Sequence, residues 1–302
     1  MRTPLARCGL ALALLLAACS DYKVGGGADD TGEGVAGQDG GADGGGSDGG
    51  SSDGGSGDGG SGDGGGTMPG APECTDDYDE ATLLTVDSYS GRVYTVDPGS
   101  AALTELSTLS AYDAASNFNS SAFRADGLAV VSDSGLNRLL LLDPCTGALT
   151  VLGDTGVGNL CGISWGPGGL LFGLDNEGDQ LVLLNPLTGA GAPIGSLGFD
   201  LGTCGLSWDC VSGMLIGVDG GTGSLFAIDP ATGGTATLRD VALAVGVGGA
   251  EFDPRDQTLI LTEGTGLAVV DLVSGAATWR GDFGVTGNWD DLAFLTAPLD
   301  CD

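Results

Sequence analysis

Three carboxylates, Glu251, Asp290 and Asp291, stand where a repeating pattern elsewhere places small residues. Ala122, Ser164, Ser207 and Ala293 share a column whose fifth member is Glu251, and Asp290-Asp291 replaces the Cys-Gly or Gly-Gly of other copies. Asn117, Asn119, Asn159 and Asn288 fall near the same ends of the repeat. Carboxylate and amide oxygens of this kind suit Ca²⁺ or Mg²⁺, with Glu251, Asp290, Asp291 and Asn119 as the candidate ligands. Two opposed carboxylates also suit glycoside hydrolysis, and Glu251 with Asp290 or Asp291 is the candidate pair.

Other chemistry is excluded by composition. The 302 residues include 41 acids, 9 basic residues and no histidine, for a formal charge of −32. Ser-His-Asp and Cys-His mechanisms and histidine zinc sites are therefore absent. A nucleic-acid partner would need a basic footprint that this chain lacks.

The elements that position the carboxylates follow from a repeat. An apolar run leads into Asp-Pro-x-Thr-Gly at Asp143–Gly147 and Asp229–Gly233, with Asn at Asn185–Gly189, and without proline at Asp271–Gly275. A shorter first copy is Val96-Asp97-Pro98. Aromatics keep the same period at Phe123, Trp165, Trp208, Phe252 and Phe294, and acids at Asp87, Asp133, Asp175, Asp219 and Glu263. A period of about 44 residues with several short strands per unit is the signature of a β-propeller. The acid column reads as turn chemistry, a short acid accepting backbone N–H groups, and the aromatic column as packing between blades.

In the fourth copy, strand a is read at 205–208, b at 214–218, c at 225–228 and d at 235–238. The first copy has b, c and d at 82–106 but no strand a, and the missing strand appears at 291–295. The expected fold is all-β: a five-bladed propeller of four-stranded blades, closed by the C-terminal strand joining the first blade. The region resembles the WD-like, YVTN, NHL and quinoprotein-type repeats as a class, on the Asp-Pro-x-Thr-Gly turn. Residues 271–279, ending in Trp279, resemble a quinoprotein repeat, but the other copies lack that tryptophan and no quinone is implied. Calcium-dependent propeller hydrolases use a similar collection of acids and amides.

Two regions precede the propeller. Arg2 and Arg7 followed by the apolar run 10–18 read as a signal peptide over 1–18. Its end, Leu16-Ala17-Ala18-Cys19, resembles the lipobox of bacterial lipoproteins, which implies lipidation of Cys19, fatty acylation (palmitate) and a membrane anchor. Ser20 after the cysteine is similar to the outer-membrane sorting signal of those lipoproteins. Residues 19–73 read as a disordered linker, because Asp43, Asp48, Asp53, Asp58 and Asp63 recur among Gly and Ser, with no apolar residue to bury between 43 and 63.

The propeller domain is expected over 74–302. Its six cysteines read as disulfides in an exported protein. Cys74–Cys301 would lock the closing blade, Cys161–Cys204 occupies equivalent positions in neighbouring blades, and Cys145–Cys210 remains by elimination. Two functions fit. One is a monomeric, non-enzymatic binding or scaffold module in the cell envelope, holding a protein or glycan. The other is a secreted calcium-dependent glycosidase or lactonase-like hydrolase with acids in the central funnel. Short loops between strands favour binding.

Overall fold

The computed structural model describes residues 81–302, apart from 111, 242–245, 297, 298, 300 and 302. The expected signal peptide, the linker and Cys74 lie outside the described residues. Twenty antiparallel strands form five four-stranded sheets. Blade 1 combines β1 (Thr82–Asp87), β2 (Arg92–Val96) and β3 (Leu103–Thr108) with the last strand, β20 (Ala293–Leu295). Blade 2 is β4 (Phe118–Phe123), β5 (Ala129–Asp133), β6 (Arg138–Asp143) and β7 (Ala148–Asp154). Blade 3 is β8 (Leu160–Trp165), β9 (Leu171–Asp175), β10 (Gln180–Leu184) and β11 (Gly191–Ser196). Blade 4 is β12 (Cys204–Asp209), β13 (Met214–Asp219), β14 (Ser224–Ile228) and β15 (Thr235–Asp240). Blade 5 is β16 (Val247–Phe252), β17 (Leu259–Glu263), β18 (Gly266–Val270) and β19 (Ala277–Asp282).

The five-bladed propeller closed by its tail is thus the observed architecture. In each blade the a–b and c–d connections lie on one face, and the b–c and d–a connections on the other. The closing strand is shorter than the 291–295 the sequence suggests. Ala293, Phe294 and Leu295 pair with Leu84, Leu83 and Thr82. One pleat further on, the Val86 N–H is taken at 2.8 Å by the Asp291 carboxylate, so a side chain replaces the next rung of the ladder.

The Asp-Pro-x-Thr-Gly turn has a double reason. Asp143 Oδ1 accepts the N–H groups of Cys145 and Thr146 at 3.0 and 3.3 Å, while the Thr146 hydroxyl donates to Oδ2 at 2.7 Å. Asn185 repeats the backbone part, accepting from Leu187 at 2.9 Å and Thr188 at 3.2 Å, which is why Asn substitutes for Asp there. The terminal glycine takes φ +70° at Gly147, and a Cβ on it would sit 2.1 Å from the Thr108 carbonyl of blade 1. At Gly189 the same atom would meet the Gly153 carbonyl of blade 2 at 2.3 Å. The motif therefore turns the chain and brings blades into backbone contact.

Five apolar clusters fill the five seams, and each takes one member of the aromatic column: Phe123, Trp165, Trp208, Phe252 or Phe294. Acids of the second column bind turns. Asp175, 1 % exposed, accepts N–H groups from Glu177 and Gly178 in its own b–c turn, both at 3.1 Å. It also accepts the Gly158 N–H at 3.2 Å and the Gln180 amide at 2.8 Å. Asp219 likewise joins Gly221 to Gly202, at 3.0 and 3.3 Å. The column ties each b–c turn to the d–a connection of its blade.

Cys161 and Cys204, the first residues or neighbours of β8 and β12, are bonded with Cα atoms 5.2 Å apart. The other expected pairs are corrected. Cys301 bonds Cys145, Cα–Cα 5.1 Å, so neither Cys74–Cys301 nor Cys145–Cys210 forms. β20 leaves the sheet on the a–b/c–d face, and Leu299 packs on the cluster between blades 1 and 2. The tail then ends at the c–d turn of blade 2, where Cys145 is the variable residue.

Replacing Asp175 by Ala leaves four donors without their acceptor. We expect a loss of about 3 kcal/mol in equilibrium denaturation, with the circular dichroism of a β protein retained below the transition.

Candidate functional site

The axis is lined by the inner strands β20, β4, β8, β12 and β16. β16 comes within 8 Å, Cα to Cα, of both β4 and β8, neither of which is its neighbour round the ring. The axis is therefore narrow, and its carboxylates are engaged in the wall. Asp291 is fully buried. Its Oδ1 accepts the Val86 N–H and the Thr85 hydroxyl, the latter at 3.1 Å, and its Oδ2 accepts the Ser121 hydroxyl of blade 2 at 2.8 Å. Glu251 accepts the Ser207 hydroxyl of blade 4 at 3.2 Å and the Phe294 N–H of blade 1. Ser207 in turn accepts the Phe252 N–H at 2.9 Å. Side chains thus pass hydrogen bonds from one inner strand to the next.

Burial raises both carboxyls. Glu251 is pushed up to about 8, against the opposing hydrogen bonds from Ser207 and Phe294. Asp291 rises to about 7 for the same reason, against the bonds from Val86, Ser121 and Thr85, with a small contribution from Asp290. Asp290 is also raised by burial, opposed by Asn288.

The amides do come together. Asn288 donates to Asp290 and to Asn117 Oδ1 at 3.3 Å. Asn117 donates to Asn119 at 2.6 Å, and Asn119 to Asn159 at 3.5 Å. This chain lies at the b–c/d–a end of the axis. It does not gather the candidate cation ligands into one cage. Asp291 spends both oxygens on donors, and Glu251 is bonded three positions along the closing segment, at Phe294. Among the described residues no group of three or more His, Cys, Asp or Glu side chains could hold a metal ion.

The feature that the sequence reading missed is a groove of about 720 Å³ between blades 5 and 1, on the a–b/c–d face. Val96, Ile260 and Val269 contribute apolar wall, and Asp97, Asp253, Asp256, Arg255 and Arg280 contribute charge of both signs. Its origin is a second column. Every outer strand carries a bulge at the same place, and the extra residues are Leu106, Leu152, Ile194, Leu238 and Arg280. Leu106, Leu152 and Ile194 pack into their seams. In blade 4 the residue, Leu238, is exposed, and in blade 5 it is an exposed arginine. The same seam carries the other departure: the turn glycine is replaced by Ala101, buried at φ +60°. Arg255 is held by Asp253, Nε to Oδ1 at 2.7 Å, and lies 5.7 Å from the centroid of Phe294. Arg280 makes no ion pair within 4 Å among the described residues. Aligning the bulge column would have found it.

No protein-family model matches the chain, and the search of curated proteins gave no match. Solved structures do match. A chain of the crystal structure of a nidogen/laminin complex is 14 % identical, with TM-score 0.51, covering 72 % of this chain and 99 % of that one. A Bacteroides thetaiotaomicron protein of unknown function is 17 % identical, with TM-score 0.53, covering 74 % of this chain and 63 % of that one. At these identities the likeness is one of fold: this protein is a β-propeller.

The raised carboxyls set a pH dependence. Folded Asp291 and Glu251 hold their protons to about 7 and about 8, against ordinary values of 3.8 and 4.5. The folded state therefore binds more protons than the unfolded state in this window, and their stabilising contribution is lost as pH rises. We expect the melting temperature to fall between pH 5 and pH 8 by differential scanning calorimetry. The slope should be shallower in Asp291→Asn and Glu251→Gln.

Proposed function

We propose that the chain is an envelope lipoprotein, anchored through Cys19 to the outer membrane, whose propeller is a non-enzymatic binding module. Its partner, a protein or glycan, presents an anionic group to the groove between blades 5 and 1. The carrying observation is Arg280, a cation at the bulge position that packs apolar in blades 1 to 3, standing beside an open groove. In a chain of this charge, an arginine that makes no ion pair among the described residues fits an incoming carboxylate or phosphate.

The state of the axial carboxylates supports binding over hydrolysis. A glycosidase needs two carboxyls facing each other across a sugar, and Glu251 and Asp291 instead face donors of neighbouring blades. A chain of similar fold occurs in a complex of nidogen with laminin, so the architecture is found in a protein–protein assembly.

Two measurements test the reading. Cys19→Ser should abolish palmitate labelling in cells and move the protein from the membrane to the soluble fraction. Arg280→Leu, which restores the apolar bulge residue, should remove binding to the carboxylate- or phosphate-bearing members of a glycan and peptide array. Ligands retained equally by the variant would overturn the groove. Glu251→Gln should leave binding unchanged.

A further inference from the structure

We infer that the groove between blades 5 and 1 takes a dipolar occupant: a short extended peptide with both ends charged, its carboxylate on Arg280 at the rim and its ammonium between Asp97 and Asp256 toward the axis. Such an occupant presupposes the anion site proposed above and adds a cation site to it. A groove of about 720 Å³ lies within the roughly 300–1,000 Å³ of small-ligand clefts. It is lined by charges of both signs. Yet among the described residues Arg280 pairs with none of the groove's own acids within 4 Å. Opposite charges that share a groove without meeting leave room for a ligand that joins them.

The acids toward the axis are only partly used. Asp253 gives both oxygens to Arg255, so that pair is neutral. Asp256 accepts the Thr258 N–H at 3.0 Å and the Thr258 hydroxyl, both on Oδ1. Asp97 accepts the N–H groups of Gly99 and Ser100 at 2.7 and 3.2 Å, again on Oδ1. In blades 2 and 4 the second oxygen of the equivalent aspartate holds a threonine hydroxyl, from Thr146 at 2.7 Å and Thr232 at 3.0 Å. Blade 1 has Ser100 at that place, and among the described residues Oδ2 of Asp97, like Oδ2 of Asp256, accepts no hydrogen bond. The two acids come from opposite sides of the seam and stand close together. Both help Asp253, the foremost cause, to raise the Arg255 guanidinium. Two neighbouring carboxylates with a free oxygen each suit an ammonium. They are too few for Ca²⁺, which takes about six to eight oxygens.

The separation of the two ends sets the length of the occupant. Asp256 lies in the a–b turn of blade 5, at the inner strands, and Arg280 on β19, the outermost strand of that blade. From that turn to β19 is about two and a half strand spacings, roughly 12 Å. An extended chain covers at most about 3.3–3.6 Å per residue, so about three or four residues span it. Between the ends the wall is apolar, from Val96, Ile260 and Val269, all buried. Small apolar side chains fit such a wall better than further charge does. An anionic glycan would satisfy Arg280 alone and bring like charge to Asp97 and Asp256.

Titration calorimetry on the full chain with alanine peptides of two to six residues tests the occupant. Peptides of three or four residues with free ends should bind most tightly. Acetylating the amino end, or amidating the carboxyl end, should each weaken binding about tenfold or more. Asp97→Asn keeps its turn, because Asn185 accepts the same backbone N–H groups in blade 3. In the protein carrying Asp97→Asn and Asp256→Asn, free and acetylated peptides should bind alike. In Arg280→Leu, free and amidated peptides should bind alike. Equal affinity of the unaltered chain for free and acetylated peptides would refute the ammonium end and leave the anion site of the groove standing. Affinity unchanged from two to six residues would refute the span. Anionic sugars bound more tightly than any peptide would make the occupant a glycan and overturn the inference. Failure of every peptide and every anionic sugar to bind would remove the groove reading itself, and the inference with it.

Discussion

Closure of the ring is the constraint on which everything else rests. Five sheets arranged around an axis leave no open seam only if the last strand completes the first sheet. β20 does this with three residue pairs, half the six rungs of the β12–β13 ladder. Asp291 makes up the deficit. Its carboxylate takes a β1 amide, a β1 hydroxyl and a hydroxyl of blade 2, so one side chain binds the sheet that closes and the sheet beside it. The energetic cost is the burial of a carboxyl, which is expressed as its raised proton affinity. A lost hydrogen-bond partner here would strand several buried donors together.

Seams, rather than blades, are the unit of packing. Each apolar cluster draws on two neighbouring sheets, and each turn glycine lets the backbone of one blade touch the next. Outer strands contribute little to this, and their alternating exposed residues show it. The bulge in each outer strand bends it and swings one residue back toward the seam. A repeat protein built this way can change a single seam without disturbing the other four. That is what Ala101 and Arg280 represent. They alter the same seam from its two sides, and the groove follows.

The fold was legible because its determinants are local and recur. Asp-Pro-x-Thr-Gly dictates a turn through Asx hydrogen bonds and a left-handed glycine, and its period counts the blades. Even the closing strand could be placed, because the first copy lacks what the tail supplies. The carboxylates were legible as departures, but their meaning was not. Glu251 reads as a ligand until the structure shows Ser207 and the Phe294 N–H on either side of it. The groove was hidden for a different reason. Its defining arginine is a bulge residue, and a bulge shifts register by one, so a column aligned on strand periodicity passes over it. The disulfide of the tail depends on where six residues beyond β20 travel, which no repeat encodes.

The pairing of Thr85 with Asp291 spans 206 residues of chain. A polypeptide emerging from the ribosome, N-terminus first, presents β1 long before β20 exists. During that interval the first sheet has an unsatisfied inner edge, ready to accept any extended segment that arrives, native or foreign. Four complete blades must assemble beside it before the proper occupant is released. The excess of acid over base works against such pairing between copies, because like-charged chains repel one another until each has closed its own circle.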